Sequence, residues 1–265
     1  MGTAASRCER FSSLAKTFYA AAWILLCATQ ACGPIPPTLR MPEANPWRVP
    51  AEEFALRAHT VCIFPTSAPI EELEDRAQEF GRLAAQELRG AGLKAVVLSE
   101  EDAQGLLEHA VADVGGVVDP EVGWVDMDRV HSVVKRQREL ARQIHGCDAF
   151  LGLSVVMVRA PFSDGLVKWD GREAKIQDYL SAMGNSGWTT VLSLHARVSD
   201  LNNEELYFFA GGIQPVIEVK TFSLPYEPIW RAKNPEELLL SESDNHRAVL
   251  LALGPLLPAV RGAAR

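Results

Sequence analysis

Apolar and polar positions recur with two different periods along the chain, and the change of period divides it. Between Glu71 and Arg89, Leu73, Ala77, Phe80, Ala84 and Leu88 fall three or four residues apart, and Gly90 and Gly92 follow. That spacing predicts an amphipathic helix with a glycine stop. Before it, Thr60 to Phe64 is a short apolar strand halted by Pro65, and after it Lys94 to Leu98 reads as a second strand. Ser99, followed by Glu100, Glu101 and Asp102, has the composition of a capped, acidic helix start. A glycine-rich connection, Val114 to Val125, leads to Asp126, which is placed to cap a helix running to His145. Its buried stripe is expected at Val130, Val133 or Val134, Leu140, Ala141 and Ile144. Gly146 then opens the apolar run Asp148 to Val158, typical of a central strand covered on both faces. Strand, helix, strand, helices, strand is the order of a layered α/β fold with parallel strands.

The second half follows the period of two. Leu166 to Trp169 and Arg172 to Ile176 flank Asp170-Gly171, a strong hairpin signal. Trp188 to Ser199 alternates, with Thr190, Leu192, Leu194, Ala196 and Val198 on one side, then turns at Asn202-Asn203 into Glu205 to Ile213. This predicts antiparallel hairpins with one face on a core. Gly211-Gly212 marks a bulge or a close backbone approach in the return strand. Asn234-Pro235-Glu236-Glu237 looks like a cap and first turn, and Asp244 to Leu257 like a closing helix capped near Ser243 and Asp244.

The first 31 residues have the three parts of a secretory leader. Arg7, Arg10 and Lys16 form a basic start, Phe18 to Ala28 an apolar stretch, and small residues precede Cys32. The apolar stretch is shorter than the roughly 20 residues a membrane span needs. Thr29-Gln30-Ala31-Cys32 resembles the lipobox of bacterial lipoproteins, with Thr29 where an aliphatic residue is usual. The resemblance implies cleavage before Cys32 and acylation of its sulfur and new amino terminus. Ordinary signal cleavage near Ala31 and a retained membrane anchor are the alternatives. Gly33, where an inner-membrane retention signal would place Asp, points to the outer membrane on the periplasmic side. Residues 32 to 54 carry six prolines between positions 33 and 50 and read as a semi-rigid tether, leaving 55 to 265 as one periplasmic α/β domain.

Composition narrows the partners. The chain is 48% hydrophobic and 23% charged, which suits a packed core. The leader takes Arg7, Arg10, Lys16 and Glu9 out of 26 basic and 34 acidic residues, so the remainder carries a net −10. Such a balance argues against nucleic acid and against polybasic attachment to anionic lipid. Beyond the leader and Cys32, the cysteines left are Cys62 and Cys147, both near the starts of apolar runs. They are a candidate disulfide in an oxidising compartment, or two separate buried thiols.

Signals for catalysis are weak. Ser132-Val133-Val134-Lys135 and Ser243-Asp244-Asn245 match two motifs of penicillin-recognising enzymes, but Lys220-Thr221-Phe222 lacks the glycine of the third and precedes the second. The six histidines include no i, i+4 pair, and Asp126-Met127-Asp128 reads as a helix start rather than as metal ligands. No catalytic residue, metal or cofactor is inferred. Trp124, Trp169 and Trp188 lie beside glycine or aspartate in loop or hairpin contexts and are candidate partner contacts, with core packing as the plainer explanation.

The order of elements resembles the periplasmic domain of the TolB amino terminus and of the lipoproteins of curli secretion (CsgG-like) and penicillin-binding-protein activation. The residues that carry it are Val61-Cys62-Ile63-Phe64-Pro65, the phrase Gly146-Cys147-Asp148-Ala149-Phe150-Leu151-Gly152, and the pair Leu194 to Asp200 and Glu205-Leu206-Tyr207. The long lipid-facing hairpins of the curli channel have no counterpart in Ala160 to Gly187, which carries seven charged residues. The expectation is therefore a non-enzymatic, lipid-anchored protein that binds an envelope protein or cell-wall component. The alternatives are a subunit of a homo-oligomeric secretion assembly and a periplasmic hydrolase with an unrecognised site.

Overall fold

The computed structural model describes residues 45–118, 123–176, 186–223 and 227–263; Cys32 and the other residues before 45, expected to form a leader and the first part of a tether, lie outside them. Six α-helices are present among the described residues: α1 (Ala51–Arg57), α2 (Glu74–Gly90), α3 (Glu100–Val114), α4 (Met127–His145), α5 (Glu242–Leu253) and α6 (Leu256–Ala263). The strands are β1 (Thr60–Ile63), β2 (Lys94–Val97), β3 (Ala149–Ser163), β4 (Leu166–Trp169), β5 (Arg172–Lys175), β6 (Ser186–Ser199), β7 (Glu205–Pro215), β8 (Ile217–Ser223) and β9 (Glu227–Ala232).

The fold is the expected layered α/β arrangement. β1 pairs in parallel with β2 and with the start of β3, which pairs antiparallel with β6, and β6 with β7. β4 joins the far end of β3, β5 follows it, and β8 and β9 form a separate two-stranded sheet. Strand alternation sorts the core onto two faces. Val61, Ile63, Leu151, Leu153, Leu194 and Ala196 face α2, α5 and α6, while Cys62 and Phe150 face Leu106 of α3 and Ala141 of α4.

Local chemistry sets the helix starts. The Ser99 and Asp126 side chains accept backbone N–H groups in the first turns of α3 and α4. Leu73, Ala77, Phe80, Ala84 and Leu88 are all buried on α2, as their spacing requires. Asp170 and Gly171, at φ 39° and 75°, form the tight turn between β4 and β5, a backbone that Asp-Gly adopts readily.

Four expectations change. β3 continues five residues past Val158, because Asp164-Gly165 makes a second tight turn and lets the antiparallel ladder with β6 run to Ser163. The buried line of α4 is Val133, Arg138 and Ala141; Ile144, 63% exposed in the last turn, falls off it. The closing helix breaks at Gly254-Pro255 into α5 and α6, and Ser241 caps α5 by accepting from Asp244 N–H. Residues 45–54, read as tether, pack on the domain. Phe208 N–H donates to Pro46 O and Arg48 N–H to Leu206 O, forming an isolated antiparallel bridge at the edge of β7. Trp47 packs against Phe54 and Tyr207 at ring-centroid distances of 5.4 and 5.2 Å.

Candidate functional site

Cys62 and Cys147 are joined by a disulfide with Cα atoms 5.6 Å apart, and both are fully buried between the sheet and the pair α3 and α4. The bridge ties the start of β3 to the neighbouring strand β1 and lies away from solvent. The three tryptophans do not form one surface. Trp169 is core: it packs with Ala160, Phe162, Val167 and Val191, and its Nε1–H donates to the Leu192 carbonyl at 3.0 Å. Its hairpin position misleads because β4 and β5 fold back over the β3–β6 ladder. Trp188 is 42% exposed at the start of β6, with the Arg159 guanidinium 6.0 Å from its ring. Trp124 is 77% exposed between α3 and α4, next to partly exposed Val125 and Met127.

The enzyme-like fragments do not converge. Ser132 Oγ on α4 donates to the Asp128 carbonyl one turn back, while Asp244 and Asn245 stand on α5, across the sheet. Asp244 pairs with the nearly buried Arg172 at 2.6 Å, and Asn245 Nδ2 donates to the Leu239 carbonyl. No group of three or more His, Cys, Asp and Glu arranged to hold a metal occurs among the described residues. No helix among them is long and apolar enough to cross a membrane.

The arrangement with binding chemistry lies between α4 and the β6–β7 turn. Asp200 builds the turn: its Oδ1 accepts the N–H groups of Asn202 and Glu204 at 2.8 and 2.9 Å. The same residue's backbone carbonyl accepts Arg138 Nη1–H at 2.8 Å. The Arg138 guanidinium also lies 5.4 Å from the Phe150 ring centroid, and the residue is 9% exposed. Burial, with Arg197 nearby, lowers its pKa to about 10, against the opposing pull of Asp200, so it stays charged at neutral pH.

An open groove near this turn is lined by Lys135, Glu139, Arg142, Gln143, Leu201 and Asn202. Lys135, Arg138 and Arg142 follow one another at helical spacing on one side of α4. Glu139 is engaged by Arg136, which also binds Asp113 of α3, whereas Lys135 and Arg142 make no ion pair among the described residues. The groove is thus a local cationic site on an acidic chain. The sequence reading passed over Arg138; its signal is a charged residue on the buried stripe of an amphipathic helix, one turn from Val134 and three residues from Ala141.

No family model and no curated protein matches the chain. The resemblance to the TolB and curli-secretion families is therefore without support from family models. Solved structures with a similar outline include PelC dodecamers from Paraburkholderia phytofirmans. One is 14% identical at a TM-score of 0.34, covering 76% of this chain and 89% of that one. A single-substitution variant is 11% identical at the same TM-score, covering 76% and 90%. A hypothetical protein from Chlamydia trachomatis is 11% identical at a TM-score of 0.30, covering 77% and 94%. Likeness at this level carries no functional information.

Proposed function

We propose that this chain is an exported envelope protein, acylated at Cys32 and held at the periplasmic side of the outer membrane, that works by binding another envelope component and not by catalysis. The observation that carries the proposal is the buried Cys62–Cys147 bridge. Protein disulfides of this structural kind belong to oxidising compartments, which agrees with a leader ending at Cys32. The groove beside Arg138 and the exposed Trp124 are the surfaces with recognition chemistry.

Labelling of growing cells with a radioactive fatty acid, followed by membrane fractionation, tests the anchor. Wild-type protein should take up label and sediment with the outer membrane. The Cys32→Ser variant should carry no label and either appear in the soluble periplasm or remain as uncut precursor. A processed Cys32→Ser chain still bound to membrane would defeat the anchoring reading.

A further inference from the structure

Strand alternation gives β3 one face made of its odd-numbered residues, and that face loses its cover halfway along. Leu151, Leu153 and Val155 are buried in the core with α2 and α5. Met157 is 47% exposed, and Arg159 and Pro161 after it are exposed as well. Directly opposed residues of antiparallel strands share a face, so the register adds Trp188, opposite Pro161, and Leu166, opposite Ser163. Trp188 is 42% and Leu166 38% exposed. The reverse face of the same strands, with Ala160, Phe162, Val167 and Trp169, is packed as core. Met157, Pro161, Leu166 and Trp188 therefore form one open apolar strip across β3, β4 and β6. The same register places Arg159, Lys168 and Lys175 on this face, with Glu173, which pairs with Lys168 at 2.8 Å. Asp164 stands in the adjoining turn, so cations remain in excess here on a chain of net charge −8.

We propose that this face rests on the surface of an anionic lipid leaflet and sets the orientation of the domain upon it. The inference rests on the anchoring reading and deepens it by naming the surface that meets the membrane. Charge is complementary: the cations meet headgroup phosphates, while Trp188, with the Arg159 guanidinium 6.0 Å from its ring, takes the interfacial level that tryptophan favours. The rest of the acidic chain is repelled from such a surface, which leaves this face as the one presented. Chain length permits the contact. Asn45 follows Cys32 by thirteen residues (45 − 32), a reach of at most about 45 Å. Trp47 bridges to Tyr207, which pairs with Val198, and Trp188 lies ten residues (198 − 188) along β6 from there, roughly 33 Å. A second copy of the chain fits less well, because a two-fold contact through this face would set its cations against themselves.

The test reconstitutes the full-length protein, purified from membranes in detergent, with vesicles of phosphatidylcholine alone or of an equimolar mixture with phosphatidylglycerol. Both carry a phosphatidylcholine spin-labelled near its headgroup, which quenches tryptophan on contact. Flotation reports the anchor, and quenching reports the face. Quenching should be about twofold or more stronger in the mixture, and raised salt should remove the difference. Trp188→Phe should lose most of the added quenching, and Arg159→Gln combined with Lys168→Gln should return it to the phosphatidylcholine value. Trp124→Phe should keep it, because Trp124 lies between α3 and α4, which cover the opposite face of the sheet. Equal quenching in the two vesicle types, or undiminished quenching in Trp188→Phe, would overturn the assignment. So would a Trp188 shielded from acrylamide in the absence of lipid together with a mass that rises with concentration, which gives the face to a second copy. Protein that floats with both vesicles but is quenched in neither refutes the face and keeps the anchor. Flotation with the mixture alone refutes the anchor and keeps the face, and flotation with neither refutes both.

Discussion

A side chain added at Gly211 would place Cβ 2.1 Å from the Ala248 carbonyl oxygen and 2.8 Å from the Ala252 nitrogen, both backbone atoms of α5. Neither can swing aside, so Gly211→Ala should destabilise the domain by at least about 2 kcal/mol, read from urea midpoints. Exposed Gly152 on β3 has nothing within 4 Å of the same position, and Gly152→Ala should be neutral or slightly stabilising. Equal losses in the two variants would contradict the packing of α5 on β7. Next to Gly211 in the fold, the buried Tyr207 hydroxyl donates to the Ala252 carbonyl at 2.7 Å, in the last turn of α5. Burial pushes its pKa up, so it remains a donor throughout the range in which the fold persists. Tyr207→Phe leaves that helix-end carbonyl without its partner and should cost about 1 to 2 kcal/mol by the same measurement. Arg138 has the opposite sign. Its folded pKa of about 10 lies below the ordinary arginine value, so its charge costs stability at every pH below about 10, and the cost fades as pH rises beyond that toward the unfolded value. Arg138→Met should therefore be no less stable than wild type in thermal unfolding at pH 7, with any advantage shrinking at alkaline pH. A large loss at pH 7 would show that the bonds to Asp200 and Phe150 outweigh desolvation.

At the scale of elements, the disulfide is the strongest tie outside the hydrogen-bonded ladders. It closes a sequence separation of 85 residues and links β1 to the segment entering β3 under α3 and α4. In the chain-entropy account, loss of such a bridge costs on the order of 2 to 4 kcal/mol. Cys62→Ala with Cys147→Ala should lower stability by that amount in urea, and reductant should destabilise wild type but not the double variant. An unchanged midpoint in reductant would mean that the bridge contributes nothing. The elements themselves were largely legible. α2 and the caps at Ser99 and Asp126 depend on residues within a turn of one another, and Asp170-Gly171 forms its hairpin through its own backbone preference. β3 was legible only as far as Val158. Beyond it, Arg159 and Pro161 interrupt the apolar run of a strand whose pairing comes from β6 and β4, partners that a one-strand pattern does not reveal. Trp169 was ambiguous for the same reason: its burial depends on the hairpin folding over Val191 and Ala160.

For the whole molecule, the domain begins earlier than its prolines suggest. Trp47, Phe54 and the bridge made by Pro46 to Arg48 cover Tyr207 and the edge of β7. A chain beginning at Ala58 should melt several degrees below one beginning at Asn45, since it loses a buried Phe and a Trp contact. Equal melting temperatures would return residues 45–54 to the tether. The order of the main elements, the caps at Ser99 and Asp126 and the acidic balance were determined by the sequence alone, because each depends on neighbours in the chain or on composition. Only the tertiary structure decided that Cys62 meets Cys147, that Trp169 is core while Trp124 is exposed, and that residues of α4 and of the β6–β7 turn line one groove. Arg138 and Asp200 are 62 residues apart, and their hydrogen bond arises when α4 packs beside the β6–β7 turn. The physical reason is that helical and strand periods encode which face a residue takes, while a recognition site is made by side chains from different elements whose distances are set by packing.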